Sequence, residues 1–161
     1  MAEWSDPRVI TSIATVVIAL CSLALTIWQS RATQKHNRLM SRPNLTVDTQ
    51  FYSLEGYVGI RLVNSGNGPL IIKGATVTRG EKKKSLFDRE YPTLLKEVNY
   101  AAFHFTVLAE GQHIRPGDEV WLFSTNSHHE YPDISKHVED AVTHTRLQFE
   151  YESMYGEKFN T

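Results

Sequence analysis

The feature that most constrains this chain is a run of 20 residues without a charge, from Val9 to Trp28. As a helix rising 1.5 Å per residue it spans about 30 Å, the thickness of a bilayer's hydrocarbon core. A soluble fold has no use for a terminal helix that is apolar on every side. The run therefore predicts one transmembrane helix over residues 9–29, after a short extracytoplasmic N-terminus of residues 1–8. A cleaved signal peptide fits less well. Glu3, Asp6 and Arg8 do not make a basic leader, the apolar run is long, and no small-x-small cleavage pattern closes it.

Flanking charge sets the orientation. One basic residue, Arg8, precedes the helix, and Arg31, Lys35, Arg38 and Arg42 follow it with no acid among them. Basic residues stay on the cytoplasmic side. The expected protein is thus a single-pass protein of the bacterial inner membrane with its C-terminal domain in the cytoplasm. Residues 30–42 form a basic juxtamembrane helix or linker beside anionic lipid, and residues 43–161 form a cytoplasmic β-domain. That domain has more acids than bases, which argues against duplex nucleic acid as a partner. The single cysteine, Cys21, lies within the apolar run, so no disulfide framework is expected.

The polar residues of the helix form a stripe. Thr11, Thr15, Ser22, Thr26 and Gln29 fall within roughly 60° of one another at 100° per residue. Ser and Thr can bond back to carbonyls of their own helix. The same stripe can instead be a helix-packing seam of a homo-oligomer, expected to be a tetramer, or the lining of a narrow pore.

Beyond Pro43 the period becomes two. Leu45, Val47, Thr49 and Phe51 alternate with polar residues, as do Val58, Ile60 and Leu62. Ser53–Gly56 reads as a turn, and 64–69 (Asn-Ser-Gly-Asn-Gly-Pro) is the strongest turn signal in the chain. A third strand is expected from Leu70 to Arg79, then a solvated loop over 81–85. A short amphipathic helix is expected from Pro92 through Ala102, and a strand from Phe103 to Leu108. Arg115-Pro116-Gly117-Asp118 should turn into a strand carrying Val120, Leu122 and Ser124, with Trp121 and Phe123 on its other side. Tyr131-Pro132-Asp133 should cap a brief helix, before a closing hairpin of Leu147, Phe149, Tyr151 and Lys158-Phe159. The expectation is a mainly β fold: an N-terminal transmembrane helix, then an antiparallel β-sandwich-like domain with short helical insertions.

No spacing in the sequence points to catalysis. Its seven histidines make no metal-ligand pattern, and there is no nucleophile elbow and no phosphate loop. A non-enzymatic protein without cofactor or metal is expected. Binding of an anion needs Lys, Arg or His donors, and a base needs a planar side chain to stack on. The candidates are Arg61, Lys82, Lys83, Lys84, Arg115, Trp121, His128 and His129. Each has a plainer reading: surface pairing for the arginines, a solubilising loop for the lysines, core packing for Trp121, and a surface loop for the histidines.

Several stretches together carry a resemblance: the N-terminal anchor, Arg42-Pro43, the segment from Leu62 to Pro69, Arg115-Pro116-Gly117, and the segment from Tyr151 to Phe159. In these the chain resembles small bacterial membrane-anchored proteins with a cytoplasmic immunoglobulin-like β-domain. In size and layout it is also similar to the membrane-bound effectors of type III CRISPR systems. The latter resemblance implies an antiviral defence effector whose domain binds an anionic nucleotide second messenger, cyclic tetra-adenylate, and perturbs the membrane through its helices. The alternative is an inner-membrane adaptor or scaffold that recruits a protein partner through its β-domain. The topology has a direct check: a phosphatase active only in the periplasm, fused after Thr161, should be inactive. Strong activity would reverse the orientation.

Overall fold

The computed structural model describes residues 7–51, 57–95, 103–126 and 133–161. Its chain divides into two units, residues 1–40 and 41–161. The first holds α1, Pro7–Met40, one uninterrupted helix with no buried residue. Pro7 sits in the first turn, where its missing N–H costs nothing. No Gly or Pro follows until Pro43, so 34 residues stay helical, about 51 Å at the standard rise. The helix is long and apolar enough to cross a membrane. It ends at Met40, two residues short of the expected stop at Arg42. Ser41 begins the second unit.

Within α1 the hydroxyl stripe is satisfied locally. Thr11 donates to the Pro7 carbonyl at 2.7 Å, and Thr15, Ser22 and Thr26 donate to the carbonyls of Thr11, Ile18 and Ser22 at 2.8 Å. These are bonds back to residue i−4, which need no second helix.

The second unit is two antiparallel sheets around one core. The first sheet runs β1 (Leu45–Gln50), β2 (Val58–Asn64), β7 (Glu119–Thr125), β5 (His104–Phe105). The second runs β4 (Lys82–Ser85), β3 (Leu70–Arg79), β8 (Thr145–Ser153), β9 (Lys158–Asn160). β6 (His113–Ile114) pairs Leu70–Ile71 on the same edge of β3 as β4. Alternation puts Val58, Ile60 and Leu62 of one sheet and Leu70, Ile72, Val77, Phe149 and Tyr151 of the other into the shared core. The helix α2 (Ile134–Thr143) adds Ile134, Val138 and Ala141.

Three local expectations change. The lysine stretch is strand β4, not a loop. Gly80, at φ 57°, and Glu81 make a two-residue turn, and Lys82–Ser85 pair back on Arg79–Thr76. At Pro92 only a 3-10 turn forms, Tyr91–Leu94; residues 96–102 of the expected helix lie outside the described residues. The expected strand 103–108 pairs as a ladder only at His104–Phe105, with one further bond from Thr106 N–H to the Leu122 carbonyl. The Ser53–Gly56 turn and Tyr131-Pro132 also lie outside the described residues.

The 3-10 turn is held by Tyr91. Its ring is buried, and its hydroxyl donates to the carbonyls of Leu122 at 2.7 Å and Thr106 at 2.9 Å. Burial pushes its phenol well above the ordinary value of 10.0. The folded state thus favours the protonated phenol. The contribution is complete below the ordinary phenol range and is lost as pH climbs toward the raised folded value. Tyr91→Phe should lower stability at pH 7 by about 1–2 kcal/mol. The gap between wild type and variant should narrow above about pH 10, read by urea unfolding at stepped pH. A gap constant to pH 11 would mean the phenol is not held this way.

Candidate functional site

Asn64 organises the end of the domain where the chain enters. It is fully buried, and its side chain makes four bonds. Nδ2 donates to the Gly68 and Ile114 carbonyls at 2.8 and 3.0 Å. Oδ1 accepts from the backbone N–H of Gly66 and Asn44 at 3.1 and 3.3 Å. That exhausts the donors and acceptors of a primary amide. Its backbone ties the turn at 115–118, with Gly117 N–H to Asn64 carbonyl at 2.8 Å and Asn64 N–H to Asp118 carbonyl at 3.1 Å. The entering segment is held too, by Ser65 N–H to Asn44 carbonyl and Asn67 N–H to Arg42 carbonyl. Gly66 and Gly68 are there for space. A Cβ on either would lie 2.4 Å from Asn44 N or 1.8 Å from Ser41 O. Arg42 stacks over Phe159 and faces Glu157 at 3.8 Å. Three stretches of the resemblance, at 42–43, 62–69 and 115–117, thus form one structural knot, and Arg115 projects from it as an exposed turn residue.

Arg61 and Trp121 meet on the outer face of the first sheet. The guanidinium lies 5.7 Å from the Trp121 ring centroid and bonds Asp48 at 2.8 Å and Glu119. Trp121 Nε1 donates to Glu119 at 3.2 Å, and Tyr57 packs 5.9 Å away, centroid to centroid. The bond to Asp48 raises the Arg61 pKa most, burial opposes it, and Glu119 adds to the rise. Two carboxylates already neutralise this arginine, so its charge is not presented to an anion.

The lysines separate. Directly opposed residues share a face, so Lys84 turns inward with Val77 and Lys83 outward with Thr78. Lys84 Nζ bonds the Glu90 carbonyl, the Glu90 carboxylate and Thr93 Oγ1 at 3.0–3.2 Å, fastening the 3-10 turn. Lys82 and Lys83 are exposed. His128 and His129 lie outside the described residues. A single chain therefore joins Arg61 with Trp121 but leaves Arg115 and the lysines elsewhere. Among the described residues, no cluster of three or more His, Cys, Asp or Glu is placed to hold a metal.

The adaptor alternative needs an exposed sheet edge, and the sandwich has an open side. A groove of about 350 Å³ lies between the sheets, lined by Val47, Thr49, Ile60, Val142, Thr145, Arg146 and Leu147. β1 is an edge strand, paired only to β2 among the described residues. Its Leu45 N–H points outward to the Tyr151 hydroxyl at 3.4 Å. By antiparallel alternation, the backbone groups of Val47 and Thr49 point outward as well. Across the groove, the Phe149 carbonyl accepts from Thr161 N–H on the outer side of β8, and β9 pairs only Glu150–Glu152. Leu147 and Thr145 share the parity of Phe149, so their backbone groups face the same gap. Among the described residues, two open edges thus flank one largely apolar groove. The strand period makes Val47 and Leu147 inward residues, but only the strand order shows that no strand among the described residues covers them.

The chain belongs to the family of a domain of unknown function, DUF8453, whose model matches residues 9–161, the apolar helix included. No curated protein matches it.

The knot has a sharp test. Asn64→Asp keeps the shape but removes both donors and buries a charge. It should cost at least about 3 kcal/mol by urea unfolding. Asn64→Ser, smaller and neutral, should cost less than the aspartate. Near-wild-type stability for Asn64→Asp would show that the amide bonds are dispensable.

Proposed function

We propose that this protein is a membrane-tethered, non-enzymatic recruitment module. On this reading α1 anchors the chain in the inner membrane, and the cytoplasmic β-domain captures a short extended segment of a partner in the open side of the sandwich. The observation that carries it is the pairing of two uncovered strand edges with an apolar groove. Strand addition uses backbone bonds for affinity and side-chain pockets for specificity. Natural sheets usually blunt or cover an exposed edge, so a groove flanked by two open edges is a feature that asks for an occupant. Val47, 38% exposed, and the half-buried Val142 and Leu147 supply apolar contact.

A second reading, a defence effector gated by cyclic tetra-adenylate, is favoured by the knot at Asn64. The segment that follows α1 is bonded into the domain from Arg42 onward. A ligand-driven change in the domain would then reach Arg42 through these bonds. Four chains around an axis would each contribute exposed cations such as Lys82, Lys83 and Arg115.

One preparation separates the readings: the full chain in lipid nanodiscs. Displayed random ten-residue peptides should enrich for alternating apolar residues, and Val142→Glu, which places a charge in the groove, should abolish retention. Failure to enrich over empty nanodiscs overturns recruitment. Heat on titrating cyclic tetra-adenylate, with no peptide enrichment, favours the effector.

A further inference from the structure

We infer that the captured segment adds to β8 rather than β1 and carries an acidic side chain opposite Arg146. This rests on the recruitment reading and names the edge and the chemistry. The two edges that flank the groove differ in charge. On β1, the outward side chain between Val47 and Thr49 is Asp48, already engaged with Arg61 at 2.8 Å. On β8, the outward side chain between Thr145 and Leu147 is Arg146, which is exposed and has no carboxylate partner among the described residues.

The surroundings of Arg146 add to its field. It stands opposite Thr78 of β3, and Thr78 stands opposite Lys83 of β4. Lys83, Thr78 and Arg146 therefore form one row across the outer face, two cations with a hydroxyl between them and no acid. The next row down is Ser85, Thr76 and Gln148, also without an acid. Acids begin at Glu150 and Glu152, where Lys73 pairs Glu152 at 3.6 Å. The uncovered half of β8 is thus its cationic half.

A strand laid along Thr145–Leu147 would put alternate side chains into the groove against Val47, Ile60 and Val142. The side chain between them would lie on the outer face beside Arg146, at cross-strand distance. There a carboxylate meets an exposed guanidinium, and a lysine meets repulsion from two cations. A strand on β1 would have the reverse preference, since its neighbour is Asp48.

The test uses peptides enriched on the full chain in nanodiscs, resynthesised with Glu, Gln or Lys at the outward central position. Glu peptides should bind about fivefold tighter than their Gln counterparts, the scale of one exposed ion pair. Arg146→Gln should reduce that ratio below twofold while the Gln peptide binds as before, and Arg146→Lys should keep most of it. Preference for Lys would place the strand on β1, and indifference would remove Arg146 from recognition. Either outcome overturns the inference and leaves recruitment standing. If no peptide is enriched, recruitment fails and the inference falls with it.

Discussion

The bonds of one buried amide hold the β-domain's entrance together. Asn64 ends β2, and the chain must there pass the entering segment and the turn before β7 at once. Each brings backbone groups into a place without water, where an unpaired group costs about 1–3 kcal/mol. Asn64 answers four of them. Glycines at 66 and 68 let the chains come close enough for those bonds to form. The strands on both sides inherit their register from this point: Leu45 opposite Asn64, and Leu70 opposite both Ser153 and Ile114.

With the entrance closed by polar bonds, the two long sides of the sandwich are treated differently. On one side β4, β5 and the 3-10 turn of Tyr91 close the gap, through Lys84 and the Tyr91 hydroxyl. On the other, β1 and the first half of β8 face each other across the groove, with α2 contributing Val142 and Tyr151 bonding Leu45. The gap is short because, among the described residues, only two outward-facing positions on each strand remain uncovered. On the proposed recruitment reading it suits a few residues of extended chain.

How far the sequence foretold this depends on the scale of the feature. The apolar helix, the strands with strict alternation and the turns at 64–69 and 115–118 were legible, because each rests on local sterics or a two-residue period. The lysine strand was not. Its side chains are charged on both faces, and its pairing comes from Gly80 and the neighbouring β3 rather than from any apolar pattern. Charge and ring type nominate Arg61, Trp121 and the lysines, but neither reveals that Asp48 and Glu119 take Arg61, or that Glu90 takes Lys84. Nothing local in the sequence distinguishes Arg146 from other surface cations. What distinguishes it is an uncovered edge, and coverage is decided by strand order across more than eighty residues.

On the proposed recruitment reading, a membrane tether changes what such an edge has to achieve. Strand addition over two or three residues forms few bonds, and each contributes about 1 kcal/mol net. Free in solution, so small an interface would be weak. Confinement of both partners to one membrane would raise the effective concentration at which they meet, without any new contact. On the proposed recruitment reading, a long apolar helix and a short groove are complementary parts: the helix would supply proximity, and the groove the choice of partner.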